Sequence, residues 1–97
     1  MKLIQALILI LCTSASAQVI YSIKGKVLSN GEPLPDTNIY IENTTKGTTT
    51  NDDGIFIIEN LKSGNYTIVA SFTGYKIQKK TITIRDESAF LTFNLNE

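Results

Sequence analysis

Three carboxylates, Asp36, Glu42 and Glu59, and one run of oxygen donors, Asn51-Asp52-Asp53, are the residues whose types invite a chemical reading. A pair of carboxylates can act as acid and base on a glycoside, but only at a defined separation across a cleft. No spacing among positions 36, 42 and 59 sets such a separation, and solvated strand positions account for all three. Calcium binding needs acidic oxygens at alternate loop positions and a later Glu. The stretch Asn51-Asp52-Asp53-Gly54 offers neither, whereas short polar side chains in such a run bond their own backbone and make a turn. Histidine is absent from the chain, so its many serines and threonines cannot build a Ser-His-Asp triad. No catalytic, cofactor-binding or metal-ligating residue is expected, and an enzyme is the least favoured class.

The single cysteine, Cys12, lies in a segment with a different purpose. Met1-Lys2 is a short positive start. Leu3 to Cys12 is apolar apart from Gln5, and Thr13-Ser14-Ala15-Ser16-Ala17 closes on Ala-x-Ala. Charge, apolar stretch and small-residue exit, in that order, describe a secretory signal peptide with cleavage after Ala17. An apolar run of about ten residues falls short of the roughly 20 that a membrane-spanning helix needs. A lipidated cysteine would require a small residue before it, and Leu11 stands there. Removing 17 of the 97 residues leaves 80 with neither cysteine nor histidine. Disulfides and a structural zinc are therefore not expected. Stability must come from one apolar core. Loss of Lys2 takes nine Lys+Arg to eight, against nine Asp+Glu, a balance with no electrostatic claim on nucleic acid.

The elements that hold these residues read as strands. Tyr21, Ile23, Gly25 and Val27 alternate with Ser22, Lys24 and Lys26, giving one apolar and one wet face. Asn30-Gly31 supplies the positive φ angles of a tight turn. Pro33 and Pro35 keep the next segment extended and remove two donors, so it is expected at an edge or in a crossover. Thr37, Ile39 and Ile41 alternate with Asn38, Tyr40 and Glu42, and Thr48-Thr49-Thr50 is a short β-branched strand. After the turn at 51–54, Phe56 and Ile58 face one way and Ile55 and Ile57 the other. Tyr66, Ile68, Ala70 and Phe72 form the central strand, with Thr67, Val69 and Ser71 opposite. Ile77 to Ile84 and Phe90 to Leu95 follow, split by Arg85-Asp86-Glu87. Seven short strands with a turn signal about every ten residues predict an all-β, two-sheet sandwich in one domain over 18–97.

The ordered set Gly25-Lys26-Val27, Gly31-Glu32-Pro33-Leu34-Pro35, Gly47 to Phe56, Leu61, Gly64-Asn65-Tyr66-Thr67-Ile68 and Phe72-Thr73-Gly74-Tyr75 resembles the carboxypeptidase regulatory-like domain. The resemblance runs from about Ile23 to Leu95. It implies a transthyretin-like (prealbumin-like) seven-stranded sandwich. Such a domain commonly follows the signal peptide of TonB-dependent outer-membrane receptors in Bacteroidetes-type bacteria, before plug and barrel; in metallocarboxypeptidases it follows the catalytic domain and catalyses nothing. The order here resembles the first setting. The expectation is a non-catalytic envelope domain in the periplasm or on the periplasmic face of the outer membrane. Its expected partners are the receptor plug, the energy-transducing apparatus or another envelope protein. A chain ending at Glu97 is expected to be a stand-alone protein or the first piece of a receptor.

Two other classes stand beside this one: a carbohydrate-binding module, because the sandwich is akin to starch-binding domains, and a structural accessory of a carboxypeptidase. For the first, Tyr40 should point outward and offer a ring to a sugar, while Tyr21 falls on the apolar face of its strand; cross-strand packing is the commoner fate of a strand tyrosine. Asn43-Thr44-Thr45 and Asn65-Tyr66-Thr67 match the glycosylation sequon but read more simply as turn residues. Lys76, Lys79 and Lys80 form a small basic cluster that alternation would divide between strand faces.

Overall fold

The structure is a computed structural model and describes residues 19–97. The expected leader, residues 1–17 with Cys12, lies outside the described residues. Among the described residues there are eight strands and no helix: β1 (Tyr21–Ser29), β2 (Glu32–Pro33), β3 (Asn38–Ile41), β4 (Gly47–Thr49), β5 (Ile55–Leu61), β6 (Gly64–Ser71), β7 (Gln78–Ile84) and β8 (Ala89–Asn94).

The first sheet is built around β1. Strand β5 pairs with it antiparallel, and β8 pairs with it parallel, Ile23 opposite Ala89 through Leu28 opposite Asn94. Strand β2 is one more than the seven expected. Asn30 and Gly31 take φ of 54° and 81°, the two positive angles of a type I′ turn, and fold the chain back so that Glu32 and Pro33 lie opposite Ser29 and Leu28. The proline segment thus forms a brief edge before crossing to the other sheet. The second sheet runs β4-β3-β6-β7, antiparallel throughout.

The two inner faces close on Ile23, Val27, Ile39, Ile41, Phe56, Ile58, Ile68, Ile84 and Phe93, all buried. Gly25 stands on this inner face for want of room. A Cβ there would come 2.5 Å from the Phe56 ring, which fills the space and lies 6.2 Å from the Phe93 ring. The alternation read from β1, β3 and β5 therefore holds. It fails in one place: Val69, on the outer face of β6, is as fully buried as Ile68 beside it.

Two devices close the sides of the sandwich. On one side, Gln78 Nε2 of β7 donates to Asn94 O at 2.5 Å, and Lys80 Nζ donates to Thr92 O while lying 5.4 Å from the centre of the Phe93 ring. Inward-pointing polar side chains on one edge strand thereby occupy the free carbonyls of the other, a protection against edge-to-edge pairing. On the other side, β5 bulges: the three residues from Tyr21 to Ile23 face the four from Ile58 to Leu61, and Asn60 takes φ of 62°. Lys46 Nζ donates to both carbonyls of the bulge, Glu59 O and Asn60 O, each at 3.2 Å.

Candidate interaction surfaces

The residues that invited a chemical reading are scattered by the fold. Asp36 occupies an exposed turn with φ of 60°, Glu42 follows β3, and Glu59 sits exposed in the β5 bulge. Among the described residues no group of three or more His, Cys, Asp or Glu is placed to hold a metal ion. The 51–54 run is the turn its residues predict. Asn51 Oδ1 accepts from the N–H groups of Asp53 (2.9 Å) and Ile55 (3.0 Å), and Gly54 N–H donates to Asn51 O. Gly54 (φ 74°) is required twice over, because a Cβ there would also stand 2.6 Å from Val27 O.

The sequons are occupied in the same way. Thr44 Oγ1 donates to Ile41 O at 2.9 Å and accepts from Lys46 N–H, pinning the β3–β4 turn. Asn65 Oδ1 accepts from Thr83 Oγ1 at 2.7 Å across the β6–β7 pair. The three lysines separate as alternation requires: Lys80 turns inward, Lys79 outward, and Lys76 precedes β7 with its N–H on Asn96 O. Tyr75 packs beside Phe72, centroids 5.5 Å apart, at the end of the sandwich.

What remains for binding is the pair of outer faces. On the second sheet, Tyr40 lies opposite Val69 and Val69 opposite Lys79, so the ring and the lysine stem flank the valine and shield it from water. Lys79 Nζ is 2.6 Å from Glu42 Oε2. The hydrogen bond and charge of Glu42 hold the Lys79 ammonium above the usual lysine range. Thr67 and Thr81 share a hydrogen bond at 3.1 Å. Beside this closed patch, Tyr40 (39% exposed) borders an open hollow of about 490 Å³ lined by Asn38, Gly47, Thr49 and Ser71. Tyr21 is half-buried against the core and takes no part in it.

The first sheet is different. Lys24 lies opposite Ile57 on one side and Phe90 on the other, and Lys26 opposite Ile55 and Thr92. Phe90 is 59% exposed and Ile57 38%. No carboxylate stands within 4.0 Å of either ammonium group among the described residues. This face was not singled out from the sequence, although the alternation that puts Ile55 and Ile57 opposite Phe56 and Ile58 already contained half of it.

No curated protein matches the sequence. Among solved structures, the chain resembles part of a mutant type II cohesin–X-dockerin complex from Acetivibrio cellulolyticus (TM-score 0.68, 16% identity, 77% of this chain and 56% of that one). It also resembles part of the TIE protein of Bacillus anthracis (TM-score 0.66, 27% identity, 78% and 16%) and a DUF3823 family protein from Parabacteroides merdae (TM-score 0.60, 12% identity, 81% and 47%). It therefore spans about half or less of the length of each, and the likeness is one of fold. Residues 23–97 match the model of the CarboxypepD_reg-like domain, nearly all of the described chain, and the protein belongs to that carboxypeptidase regulatory-like family.

Proposed function

We propose that this protein is a non-catalytic interaction or scaffolding domain of the bacterial cell envelope, of the kind placed at the N-terminus of TonB-dependent receptors. The family match over residues 23–97 carries the reading. It is supported by a chain with no histidine and with its one cysteine in the leader-like segment, and by a sandwich whose polar side chains serve turns and edges. The exported location rests on the order of charge, apolar run and Ala-x-Ala exit in residues 1–17. The test is expression with the native leader, followed by N-terminal sequencing and photo-crosslinking from positions on both outer faces. A chain that begins at Gln18 in the envelope fraction and cross-links to a discrete envelope protein is the expected result. Retention of Met1, or hydrolysis of peptides or glycosides by the purified domain, would refute it.

A second reading has one observation of its own. The ring of Tyr40 beside a hollow lined by amide and hydroxyl groups fits a sugar that stacks on the aromatic face. Isothermal titration with glycans separates the two readings: glycan binding abolished by Tyr40→Ala, without protein cross-links, favours the carbohydrate-binding module.

A further inference from the structure

We infer that the outer face of the first sheet docks an acidic amphipathic helix of a partner protein, with Lys24 and Lys26 taking its carboxylates and Ile57 and Phe90 its apolar side chains. The inference rests on the interaction reading and gives it a face and a chemistry. Three columns of side chains make the surface: Ile55 and Ile57 from β5, Lys24 and Lys26 from β1, Thr92 and Phe90 from β8. The ammonium groups stand in the middle column without an ion pair among the described residues, while Ile57 and Phe90 flank Lys24 and Ile55 and Thr92 flank Lys26. Residues two apart on a strand are separated by about 6.5 Å. Carboxylates one turn apart on a helix lie about 5–6 Å apart, so two of them meet the two lysines. Burial of Ile57 and Phe90 supplies the apolar contact, and the charges set register and on-rate.

Other occupants fit less well. A second copy meeting this face about a two-fold axis would set Lys24 and Lys26 against themselves. An anionic membrane would take the lysines but would also meet the carboxylates at the strand ends: Glu59 on β5, and Asp86 and Glu87 just before β8. A basic spot bordered by acids suits a discrete acidic segment better than a continuous negative plane.

The experiment titrates the isotope-labelled domain with a helical peptide bearing two glutamates one turn apart between leucines, and with its lysine-for-glutamate counterpart. Amide shifts centred on Lys24, Ile57 and Phe90 are expected with the glutamate peptide. Its affinity should fall at least about tenfold in the K24E/K26E double variant, fall in Phe90→Ser, and weaken with salt. Circular dichroism confirms that the variants stay folded. Absence of shifts on this face at saturating peptide overturns the inference. So does a response confined to the Tyr40 face, which would leave the interaction reading standing. Binding to phosphatidylserine vesicles but not to the peptide assigns the face to a membrane and also overturns it. Self-association lost in the double variant assigns the face to a second copy, with the same consequence.

Discussion

On the outer face of the second sheet Lys79 reaches Glu42 at 2.6 Å, Thr67 meets Thr81, and Val69 lies buried between Tyr40 and Lys79. On the outer face of the first sheet Lys24 and Lys26 have no such acid among the described residues, and Phe90 and Ile57 stand open to solvent. Both faces belong to one small sandwich and are built by the same alternation. They differ in whether polar and apolar groups find partners within the chain. A face that satisfies its own groups contributes to stability and offers little to another molecule. A face that leaves charge and apolar area unmatched contributes little to stability and is available for binding.

Substitutions should separate the two faces, beginning from the core between them. Ile68→Ala removes a fully buried side chain from the inner face of β6, and a loss of about 2–5 kcal/mol is expected in urea titration. The neighbouring Val69→Ala should cost about 2 kcal/mol despite its place on the outer face, since two methyl groups lose their cover. A cost near zero for Val69→Ala would make the second sheet's outer face as open as the first. Ile57→Ala and Phe90→Ala should each change stability by no more than about 0.5 kcal/mol. A loss of about 2 kcal/mol at either would mean that the first sheet's face is closed too.

The smallest expected effect is the pH response of the Lys79–Glu42 pair. Glu42 raises the Lys79 pKa in the folded state, so the pair's contribution is fully present below the unfolded lysine value, near 10.5. It is lost as pH rises through the higher folded value. The pair is exposed and the effect small, so it is best followed by NMR at the Lys79 side chain. Titration of Lys79 above the unfolded lysine value is expected, and Glu42→Gln should remove the rise.

The strands themselves were legible because alternation and turn chemistry are local. Asn30-Gly31, Asn51 to Gly54, and the opposite faces of Ile39 and Tyr40 could each be read from a few neighbouring residues. Features that depend on cross-strand register could not. Val69 reads as solvated in its own strand, and only Tyr40 from β3 and Lys79 from β7 bury it. The Glu59–Asn60 bulge and its hold by Lys46 need β5 set against β1. The inward turn of Lys80 needs two sheets. For the same reason the Lys24–Ile57–Phe90 row was invisible, since its members come from three strands far apart in sequence.

The parallel pairing of β1 with β8 has a mechanical consequence. The chain enters at Tyr21 at one end of this pair and leaves at Asn94 at the other. Tension applied through those two points runs along both strands in opposite senses. It slides β8 past β1 and loads the six residue pairs from Ile23–Ala89 to Leu28–Asn94 together, not one at a time as peeling would. The domain is thus a shear-loaded link. A pull transmitted along the polypeptide meets its resistance between the first and last strands, before either sheet is asked to separate from the other.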